Sequence, residues 1–264
     1  MDEATYEMLA NEVLKAEDTR EPLKLFTERF PDITIKDSYQ IHLRVVEKKI
    51  ARGEKVIGKK IGLTSKAMQE LLGIDEPDYG FIMSTNIAGE GTISMSELIE
   101  PKAEPEVAFV FMDDLEGPGV TAAHVLAATA GVLPSIEIID SRFAGWGIKI
   151  QDSIADGASI GRVVFGAGGL TDVSTPNPLD LRYIGLVLEK NGEIVETAAG
   201  AAVLGNPAES VAWLANKLSE YGIILKAGEV VISGSLTKAV PVQTGDYVRA
   251  IFGQLGSVGI KFIE

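Results

Sequence analysis

The sequence predicts an α+β protein in which a helical N-terminal part precedes a larger, strand-rich part. The first sixty or so residues are rich in charge and contain the clearest helical pattern. After Gly53 the chain changes to short apolar runs separated by Gly, Pro, Asn and Asp, which is typical of a sheet or barrel with many turns. A length of 264 residues allows one large domain, or a small lobe and a larger one.

The clearest helical pattern covers residues 38–52, where apolar residues recur at helical spacing. Asp37 and Gln40 are spaced as a capping box at its start, and Gly53 follows its end. His42 lies beside the apolar face of this helix, so we expect a structural rather than a catalytic role for it.

Two further helices are predicted within the strand-rich part. One follows Asn206, has Pro207 at its first position and ends at Gly222. The other covers about residues 121–130 and contains His124, for which we also favour a structural role.

The remaining pattern predicts strands and turns. Asn191 and Gly192 separate two apolar segments and both tolerate positive φ, which predicts a type I′ hairpin. The Pro-rich stretch 174–178 is predicted to be a surface loop. The candidate strands are residues 56–61, 107–111, 136–139, 162–165, 184–188, 230–233 and 247–252.

Charge and composition exclude several classes of function. The chain has 24 Lys and Arg against 38 Asp and Glu, and its net charge of −14 would repel nucleic acid and anionic lipid surfaces. It contains no cysteine, which removes disulfides, thiolate metal ligands and cysteine nucleophiles. Because the sequence shows neither a signal-peptide core nor a bilayer-spanning stretch, we expect a cytoplasmic protein with no nucleic-acid or membrane partner.

Three glutamates are the best candidates for a metal site. Glu104 and Glu106 are two residues apart at the start of an apolar run, so in a strand both carboxylates project from the same face. Glu137 is a lone acid within the apolar run 133–139. Such carboxylates suit a hard cation such as Mg²⁺, Mn²⁺ or Ca²⁺. From spacing alone, solvated strand faces are the slightly favoured alternative.

Other candidate residues carry weaker signals. Lys60 ends a predicted strand just before a Gly-Leu-Thr-Ser segment, a junction where side chains often reach a site. Asp78 and Asp156 lie in Gly-containing segments typical of turns. Residues 166–169, Gly-Ala-Gly-Gly, follow a strand, but residues 171–178 cannot form the helix that a dinucleotide-binding turn requires.

Several segments carry a resemblance to a known family. They are Gly-Lys-Lys-Ile-Gly-Leu-Thr-Ser at 58–65, Glu-Pro-Asp-Tyr-Gly at 76–80, Pro-Lys-Ala-Glu-Pro-Glu at 101–106, Ile-Glu-Ile-Ile-Asp-Ser-Arg at 136–142, residues 152–159, and Leu-Gly-Ser-Val at 255–258. Together they resemble the 2-hydroxypenta-2,4-dienoate hydratase and 4-oxalocrotonate decarboxylase family, within the fumarylacetoacetate hydrolase superfamily. The match covers nearly the whole chain in order.

The resemblance implies a fumarylacetoacetate hydrolase-like mixed β-roll core, residues 66–264, with a smaller N-terminal α/β lobe, residues 1–65. It also implies one Mg²⁺ or Mn²⁺ ion per subunit, held by Glu104, Glu106 and Glu137. Homo-oligomeric assembly is implied as well, and a complex with a partner hydratase or decarboxylase is compatible with it.

The same resemblance implies the roles of further residues. The implied catalytic residues are Lys60, Asp78 and Asp156, and the implied substrate-binding residues are Leu63, Ser159, Arg142 and Lys238. Arg142 or Lys238 would give a dicarboxylate its second cationic contact. The chain departs from the family in having Gly157 where Asn is usual, which removes a hydrogen-bond donor, and in Pro105, which we expect at the head of an edge strand.

The implied activity is hydration of 2-hydroxypenta-2,4-dienoate to 4-hydroxy-2-oxopentanoate in aromatic meta-cleavage pathways. A substrate that chelates the metal through its C1 carboxylate and C2 oxygen would react through a metal-stabilised dienolate, which decarboxylation shares. Residues 63–69 and 140–159 look like the hydratases, whereas residues 199–204, 207–218 and 236–241 look closer to 4-oxalocrotonate (2-oxohex-3-enedioate) decarboxylase, the alternative. An acylpyruvate-type C–C hydrolase, which commonly uses a His-Glu pair, ranks third, and the three glutamates argue against a non-catalytic subunit.

Overall fold

The computed structural model of the chain describes residues 1–65, 69, 70, 74, 76–89, 91–173 and 179–264. Helices pack around two mixed sheets, so the predicted α+β class is confirmed. The surface loop predicted at residues 174–178 lies outside the described residues.

The helices lie mostly in the N-terminal part and between strands. The predicted helix after Asn206 is confirmed, because Pro207 is its first residue and the Asn206 side chain accepts a hydrogen bond from the Ala208 N–H. In the part of the chain that the structure describes, no helix is long and apolar enough to cross a membrane. The helix bounds are α1 (Glu3–Thr19), α2 (Phe26–Arg29), α3 (Ile35–Ala51), α4 (Ala122–Ala128), α5 (Ile150–Ala155) and α6 (Pro207–Ser219).

The strands form a larger and a smaller sheet. Their bounds are β1 (Val56–Gly62), β2 (Asp78–Met83), β3 (Thr92–Ser94), β4 (Lys102–Phe111), β5 (Thr129–Ile139), β6 (Ile160–Phe165), β7 (Gly185–Lys190), β8 (Glu193–Ala199), β9 (Val230–Ile232), β10 (Val240–Pro241), β11 (Tyr247–Phe252) and β12 (Gly256–Ile263). The larger sheet has the order β2-β1-β9-β4-β5-β6, with β10 paired to β4, and the smaller has the order β3-β12-β11-β7-β8. Strands β11 and β12 contact β5, so the two sheets share an apolar core.

Helix α3 begins three residues before the predicted start. Its N-cap is Thr34, whose hydroxyl accepts from the Asp37 N–H at 3.1 Å, while the Asp37 carboxylate accepts from the Thr34 N–H at 2.9 Å. The predicted capping box from Asp37 to Gln40 is therefore wrong, because Asp37 fills the third position of the box rather than the first.

The strands that carry the acidic residues are longer than predicted. β4 begins at Lys102 and β5 at Thr129, and the two pair from Lys102 opposite Ile139 to Phe111 opposite Thr129, with one register shift between Val110 and Phe111. The glutamates interrupt the apolar pattern of the sequence, but the pairing of β4 with β5 continues past them. The predicted hairpin between β7 and β8 is confirmed, with φ of 56° at Asn191 and 85° at Gly192.

Pro105 does not head an edge strand, as expected, but lies inside β4, which has neighbours on both sides. Its carbonyl accepts from the Leu236 N–H at 3.1 Å. In an antiparallel strand, the carbonyl and the backbone nitrogen of one residue point to the same side. The nitrogen of Pro105 therefore points away from β5, towards the segment between β9 and β10, where the strand pairing of β4 on that side is interrupted. The missing N–H therefore removes no bond to β5.

The N-terminal helices have their own apolar cluster, which includes Leu9, Phe26 and Ile41 and is completed by Phe143 from beyond β5. The Thr27 backbone N–H and hydroxyl both donate to the Asp152 carboxylate of α5, at 3.0 and 2.7 Å. These helices therefore support α5. Strand β1, although within residues 1–65, pairs with β2 and β9 in the larger sheet.

Candidate active site

Three carboxylates converge on one face of the larger sheet. Glu104 of β4 is directly opposite Glu137 of β5, and Glu106 lies two residues further along β4. One carboxylate oxygen from each glutamate lies within 4.8 Å of the others. Glu106 and Glu137 have 0% of their surface exposed, so a solvated strand face is excluded for them.

The segment after β9 places Glu106. Its Oε2 accepts from the Gly234 N–H at 2.8 Å, whereas Oε1 is buried without a hydrogen-bond donor among the described residues. Gly234 has a φ of +95°, and a Cβ there would lie 2.3 Å from Thr64 Oγ1. Only glycine permits this close approach. The free, buried carboxylate oxygen is a group that a bound cation would satisfy.

Lys60 balances part of this negative charge. It lies inside β1, its Nζ is 3.0 Å from Glu137 Oε1, and it donates to the Ala158 carbonyl at 2.7 Å. Lys60 is 3% exposed. Burial alone would lower its pKa, but Glu137 and the other neighbouring carboxylates raise the pKa above its ordinary value. The ammonium is therefore charged at neutral pH.

The surroundings of the three glutamates disfavour the ionised form of their carboxyl groups. Burial, together with the nearby Glu137 carboxylate and despite the Lys60 ammonium, raises the pKa of Glu104 to about 7. Burial, together with the Glu137 and Glu104 carboxylates and against the Lys60 ammonium, raises the pKa of Glu106 well above its ordinary value, and burial also raises the pKa of Glu137. Oxygen ligands that repel one another in this way suit a hard divalent cation such as Mg²⁺. The three residues therefore fit the predicted metal.

Asp78 is the first residue of β2 and is 1% exposed. The Ser153 hydroxyl donates to its Oδ2 at 2.6 Å, and its Oδ1 has no hydrogen-bond partner among the described residues. A Cβ at Gly62 would lie 2.2 Å from this Oδ1, so the glycine leaves space for it. Burial raises the pKa of Asp78, although Lys60 opposes the shift.

Three consecutive residues after α5 are in the left-handed region: Gly157, Ala158 and Ser159 have φ of 67°, 54° and 57°. This conformation costs about 1–2 kcal/mol at each of the two non-glycine residues. It directs the Ala158 carbonyl to Lys60, and the buried Ser159 hydroxyl has no partner among the described residues. Strain is thus concentrated where the chain meets the cavity.

Arg142 and Asp156 are paired with each other beside the cavity. The Arg142 Nε donates to Asp156 Oδ1, and its Nη1 donates to the Asp140 and Ile160 carbonyls at 2.7 and 2.6 Å. Because protein acceptors engage the guanidinium, Arg142 cannot give a dicarboxylate its second contact. Neither residue lines the cavity, contrary to the prediction for both; instead they hold the segment that contains Ser159.

A cavity of about 270 Å³ opens beside the glutamates. Of the predicted residues, it is lined by Lys60, Leu63, Asp78, Glu104, Ser159 and Lys238. Lys238 lies at its mouth, since it is 76% exposed and its Nζ is 2.9 Å from Glu196 Oε1. A shallower depression of about 450 Å³ lies beside α4 and is lined by residues such as Asp114 and Glu116, away from the glutamate cluster.

Sequence reasoning missed several lining residues, of which Lys102 and Trp146 are the most informative. The Lys102 Nζ lies 4.2 Å from the centre of the Trp146 ring. The alternation Lys102, Glu104, Glu106 was the available signal, because residues two apart in a strand share a face. The contribution of Trp146 depends on a loop whose path the sequence pattern does not predict.

Both histidines lie outside the cavity, in line with the structural roles expected. His42 is buried in α3 with neither ring nitrogen bonded to a described residue, and burial lowers its pKa to about 3. His124 is exposed, and its Nδ1 accepts from the Thr121 N–H at 3.2 Å at the start of α4. Neither is placed to activate water beside the glutamates.

Comparison with known proteins agrees with this geometry. Residues 59–262 match the family model described as fumarylacetoacetate (FAA) hydrolase C-terminal. The chain belongs to the fumarylacetoacetate hydrolase family. The predicted resemblance is confirmed.

Three relatives within this family are similar over most of their length. The 2-hydroxyhexa-2,4-dienoate hydratase of Comamonas testosteroni is 44% identical over 96% of this chain and 94% of its own. The 2-hydroxypent-2,4-dienoate hydratase of Pseudomonas putida is 46% identical over 84% of this chain and 100% of its own. The solved structure of 4-oxalocrotonate decarboxylase from Pseudomonas putida G7, complexed with magnesium and adipate, covers 100% of this chain and 99% of its own at 39% identity and a TM-score of 0.95.

Proposed function

We propose that the protein is a divalent-metal-dependent lyase that hydrates 2-hydroxypenta-2,4-dienoate (2-oxopent-4-enoate) to 4-hydroxy-2-oxopentanoate. The observation that carries the proposal is the convergence of Glu104, Glu106 and Glu137, from two neighbouring strands, beside a cavity that also contains Lys60. The hydratase names of two relatives at 44% and 46% identity support the choice of reaction.

The three glutamates are the proposed ligands of one Mg²⁺ or Mn²⁺ ion. They offer oxygen ligands only, and one free oxygen, Glu106 Oε1, is already buried without a donor among the described residues. A divalent cation bound there would withdraw electron density from the C1 carboxylate and C2 oxygen of a 2-oxo acid. The magnesium in the related decarboxylase structure supports this assignment.

Lys60 and Asp78 are the proposed proton-transfer residues. Hydration requires loss of the C2 hydroxyl proton, protonation at C5, deprotonation of the water that attacks C4, and protonation at C3. Lys60 Nζ is a charged donor in the cavity, and Asp78 Oδ1 is an acceptor with no partner among the described residues. The pKa of the Asp78 carboxyl is raised towards neutral pH. A group whose pKa lies nearer the working pH can both accept and donate a proton.

The remaining predicted residues shape the cavity. Leu63 supplies an apolar wall, and the Ser159 hydroxyl is available to a substrate oxygen. Asp156, instead of touching substrate, is proposed to position Ser159 through its bonds to Arg142 and to the Ser141 hydroxyl. Lys238, at the mouth, is proposed to attract the anionic substrate.

Decarboxylation of 4-oxalocrotonate is the second candidate. It is favoured by the 4-oxalocrotonate decarboxylase structure, which superposes with a TM-score of 0.95. A C–C hydrolase is less compatible with the site, because neither His42 nor His124 lines the cavity.

We propose a cytoplasmic homo-oligomer, compatible with a partner hydratase or decarboxylase. The edge strand β8 of the smaller sheet supports assembly, since Ile194 is 65% exposed on it. We also propose a smaller N-terminal lobe and a β-rich catalytic domain, with the boundary moved from residue 65 to the start of β1, because β1 pairs within the larger sheet.

Incubation of the purified protein with 2-hydroxypenta-2,4-dienoate and with 2-oxohex-3-enedioate, each with and without Mg²⁺, tests the reaction. We expect Mg²⁺-dependent formation of 4-hydroxy-2-oxopentanoate from the first substrate. Release of CO₂ from the second substrate alone would favour the decarboxylase, and turnover that persists after complete chelation would contradict both.

Lys59, the neighbour of Lys60 on β1, provides a matched control for testing the role of Lys60. Lys60→Met should reduce kcat by at least about a hundredfold if the ammonium acts in proton transfer. Lys59 faces the other side of β1 and pairs with Glu229, so Lys59→Met should leave kcat within about threefold once folding is verified by circular dichroism. Equal losses in the two variants would contradict the proposed role.

A further inference from the structure

We infer that Ser153 is a positioning residue for proton transfer: its hydroxyl holds the Asp78 carboxylate so that Oδ1 stays free beside the Lys60 ammonium. The inference rests on the proposed function, because it concerns the two proposed proton-transfer residues. It adds Ser153 to the residues on which turnover depends.

Two neighbouring strands bring Asp78 and Lys60 to one small gap. Gly62 of β1 is directly opposite Asp78 of β2, and Lys60 is two residues before Gly62, on the same face of the strand. Gly62 has no side chain to fill the space between them. The position that a Cβ on Gly62 would take lies 2.2 Å from Asp78 Oδ1 and 3.6 Å from Lys60 Nζ. The two groups therefore border the same gap, which we call the Gly62 gap.

The Gly62 gap stays open although a carboxylate and an ammonium border it. Lys60 Nζ is 3.0 Å from Glu137 Oε1 and donates to the Ala158 carbonyl at 2.7 Å. Among the described residues, Asp78 forms no ion pair with this ammonium, and its Oδ1 has no hydrogen-bond donor. A buried carboxylate oxygen without a donor is costly to desolvate, so rotation of the carboxylate towards the ammonium would be favoured. Another contact must therefore hold the Asp78 carboxylate in place.

Ser153 of helix α5 provides that contact. Its hydroxyl donates to Asp78 Oδ2 at 2.6 Å, a short hydrogen bond of the kind that a carboxylate accepts most strongly. A bond to one oxygen fixes the rotation of the whole carboxylate, so Oδ1 is the oxygen left to exchange a proton. Ser153 and Asp78 both line the cavity, and the bond between them is therefore part of the site.

The N-terminal helices fix the position of Ser153. The neighbouring Asp152 is 0% exposed, and its carboxylate accepts from the Thr27 N–H and hydroxyl at 3.0 and 2.7 Å. The same carboxylate accepts from the Lys149 N–H at 3.2 Å, at the start of α5. These bonds anchor the first turn of the helix before a substrate binds, so the Ser153 hydroxyl is preorganised.

Loss of the hydroxyl should affect proton transfer and leave substrate binding almost unchanged. Without Ser153 Oγ, the nearest donor to the Asp78 carboxylate across the Gly62 gap is the Lys60 ammonium. A pair between them would occupy the acceptor and the donor together. Because no proposed metal ligand is altered, the loss should appear in kcat rather than in KM.

Hydration kinetics of Mg²⁺-loaded variants test the inference. Ser153→Ala should lower kcat by about tenfold to a hundredfold, the loss of one hydrogen bond to a charged group, and change KM by less than about threefold. Ser153→Thr retains a hydroxyl and should recover most of the lost kcat. Ser219, another half-buried helix serine, donates to the Asn216 carbonyl away from the cavity, so Ser219→Ala should behave as the wild type does.

A double substitution separates an effect through Asp78 from a general loss of structure. Asp78→Asn removes the carboxylate that Ser153 holds, so adding Ser153→Ala should lower kcat by no more than about a further twofold. The same factor of loss in both backgrounds would overturn the inference. An unchanged kcat in Ser153→Ala, or a loss expressed only in KM, would also overturn it.

Crystal structures of the wild type and of Ser153→Ala give a result that does not depend on turnover. We expect the Asp78 carboxylate of the variant to rotate until one oxygen pairs with Lys60 Nζ. A carboxylate that keeps its orientation without the hydroxyl would overturn the inference. If the wild type shows no hydration but the carboxylate rotates in the variant, the proposed function is overturned and the positioning by Ser153 stands.

Discussion

Glu104 and Glu137 are directly opposite one another in the antiparallel pair β4 and β5, and both turn their carboxylates to the same face. Like charges in this position destabilise a sheet by up to about 1 kcal/mol. The fold therefore holds an unfavourable pair at the cavity. Such a pair indicates that the site is built to receive a cation rather than to stabilise the empty protein.

Glu104→Gln should stabilise the metal-free protein while it removes metal binding. At pH 8, above the pKa of about 7 of Glu104, loss of one charge should raise the melting temperature by about 2–4 °C for a gain of about 1 kcal/mol. Addition of Mg²⁺ should then produce no further rise. Glu193→Gln, an exposed change at the start of β8, should alter neither quantity; a lower melting temperature for Glu104→Gln would argue against repulsion.

Magnesium should stabilise the wild type in a pH-dependent manner. At a hundred times its Kd, a ligand of the folded state adds about 2.7 kcal/mol to the free energy of unfolding. Because burial raises the pKa of Glu104 to about 7, the proton must leave before the carboxylate can bind a metal below that pH. Mg²⁺ affinity measured by calorimetry should therefore fall by at least about tenfold per pH unit below 7, because Glu106, whose pKa is also raised, must lose its proton as well. An affinity independent of pH between 5.5 and 8 would contradict this.

His42 should make the protein less stable in mild acid. Burial lowers its pKa from 6.5 to about 3, so the unfolded state takes up a proton below pH 6.5 that the folded state refuses. Stability is retained above pH 6.5 and lost as the pH falls towards 3, by about 1.4 kcal/mol per unit. Urea unfolding at pH 7.5 and 5.0 should show a drop about 2 kcal/mol smaller in His42→Gln than in the wild type. His124→Gln, a change at an exposed ring, should behave as the wild type does.

Gly157 should not tolerate a side chain while His42 is present. A Cβ at Gly157 would lie 2.6 Å from His42 Cε1, and φ is +67°. At Gly192, φ is +85° and no atom of a described residue lies within 4 Å of the position that a Cβ would take, so a substitution there measures the backbone cost alone. Gly157→Ala should therefore destabilise by more than Gly192→Ala, whose cost is about 1 kcal/mol. Recovery in His42→Ala/Gly157→Ala would confirm the contact, and equal costs in the two single variants would refute it.

Arg142 should be essential for stability and for the position of Ser159. Removing one partner of a buried ion pair costs about 3–5 kcal/mol, so Arg142→Met should lower the free energy of unfolding by that amount. Arg182 pairs with Asp180 at the surface, where solvent screens the charges, and Arg182→Met should have a much smaller cost. Chemical denaturation measures both, and a similar small cost for the two would show that the Arg142 pair contributes little.

Local sequence patterns predicted those turns and helix ends that depend only on residues close together in the chain. The Asn191-Gly192 turn and the start of α6 at Pro207 depend on backbone preferences of a few neighbouring residues, and both are confirmed. The start of α3 was misplaced because Asp37 serves equally well at the first or third position of a capping box, and only the bond to Thr34 decides between them. The length of β4 was underestimated because buried glutamates resemble strand ends in an apolar pattern.

By itself, the sequence determined the α+β class, the face shared by Glu104 and Glu106, and, through its resemblance, the family. The tertiary structure decided which cationic side chains are left without an ion-pair partner among the described residues. Arg142 and Lys238 look like free cations in the chain, but long-range contacts commit one to Asp156 and the other to Glu196, while Lys102 keeps its charge over Trp146. The reason is physical: alternation along a strand specifies a face, whereas the partner of a charge depends on residues that are distant in sequence and meet only when the sheets and their connecting loops pack.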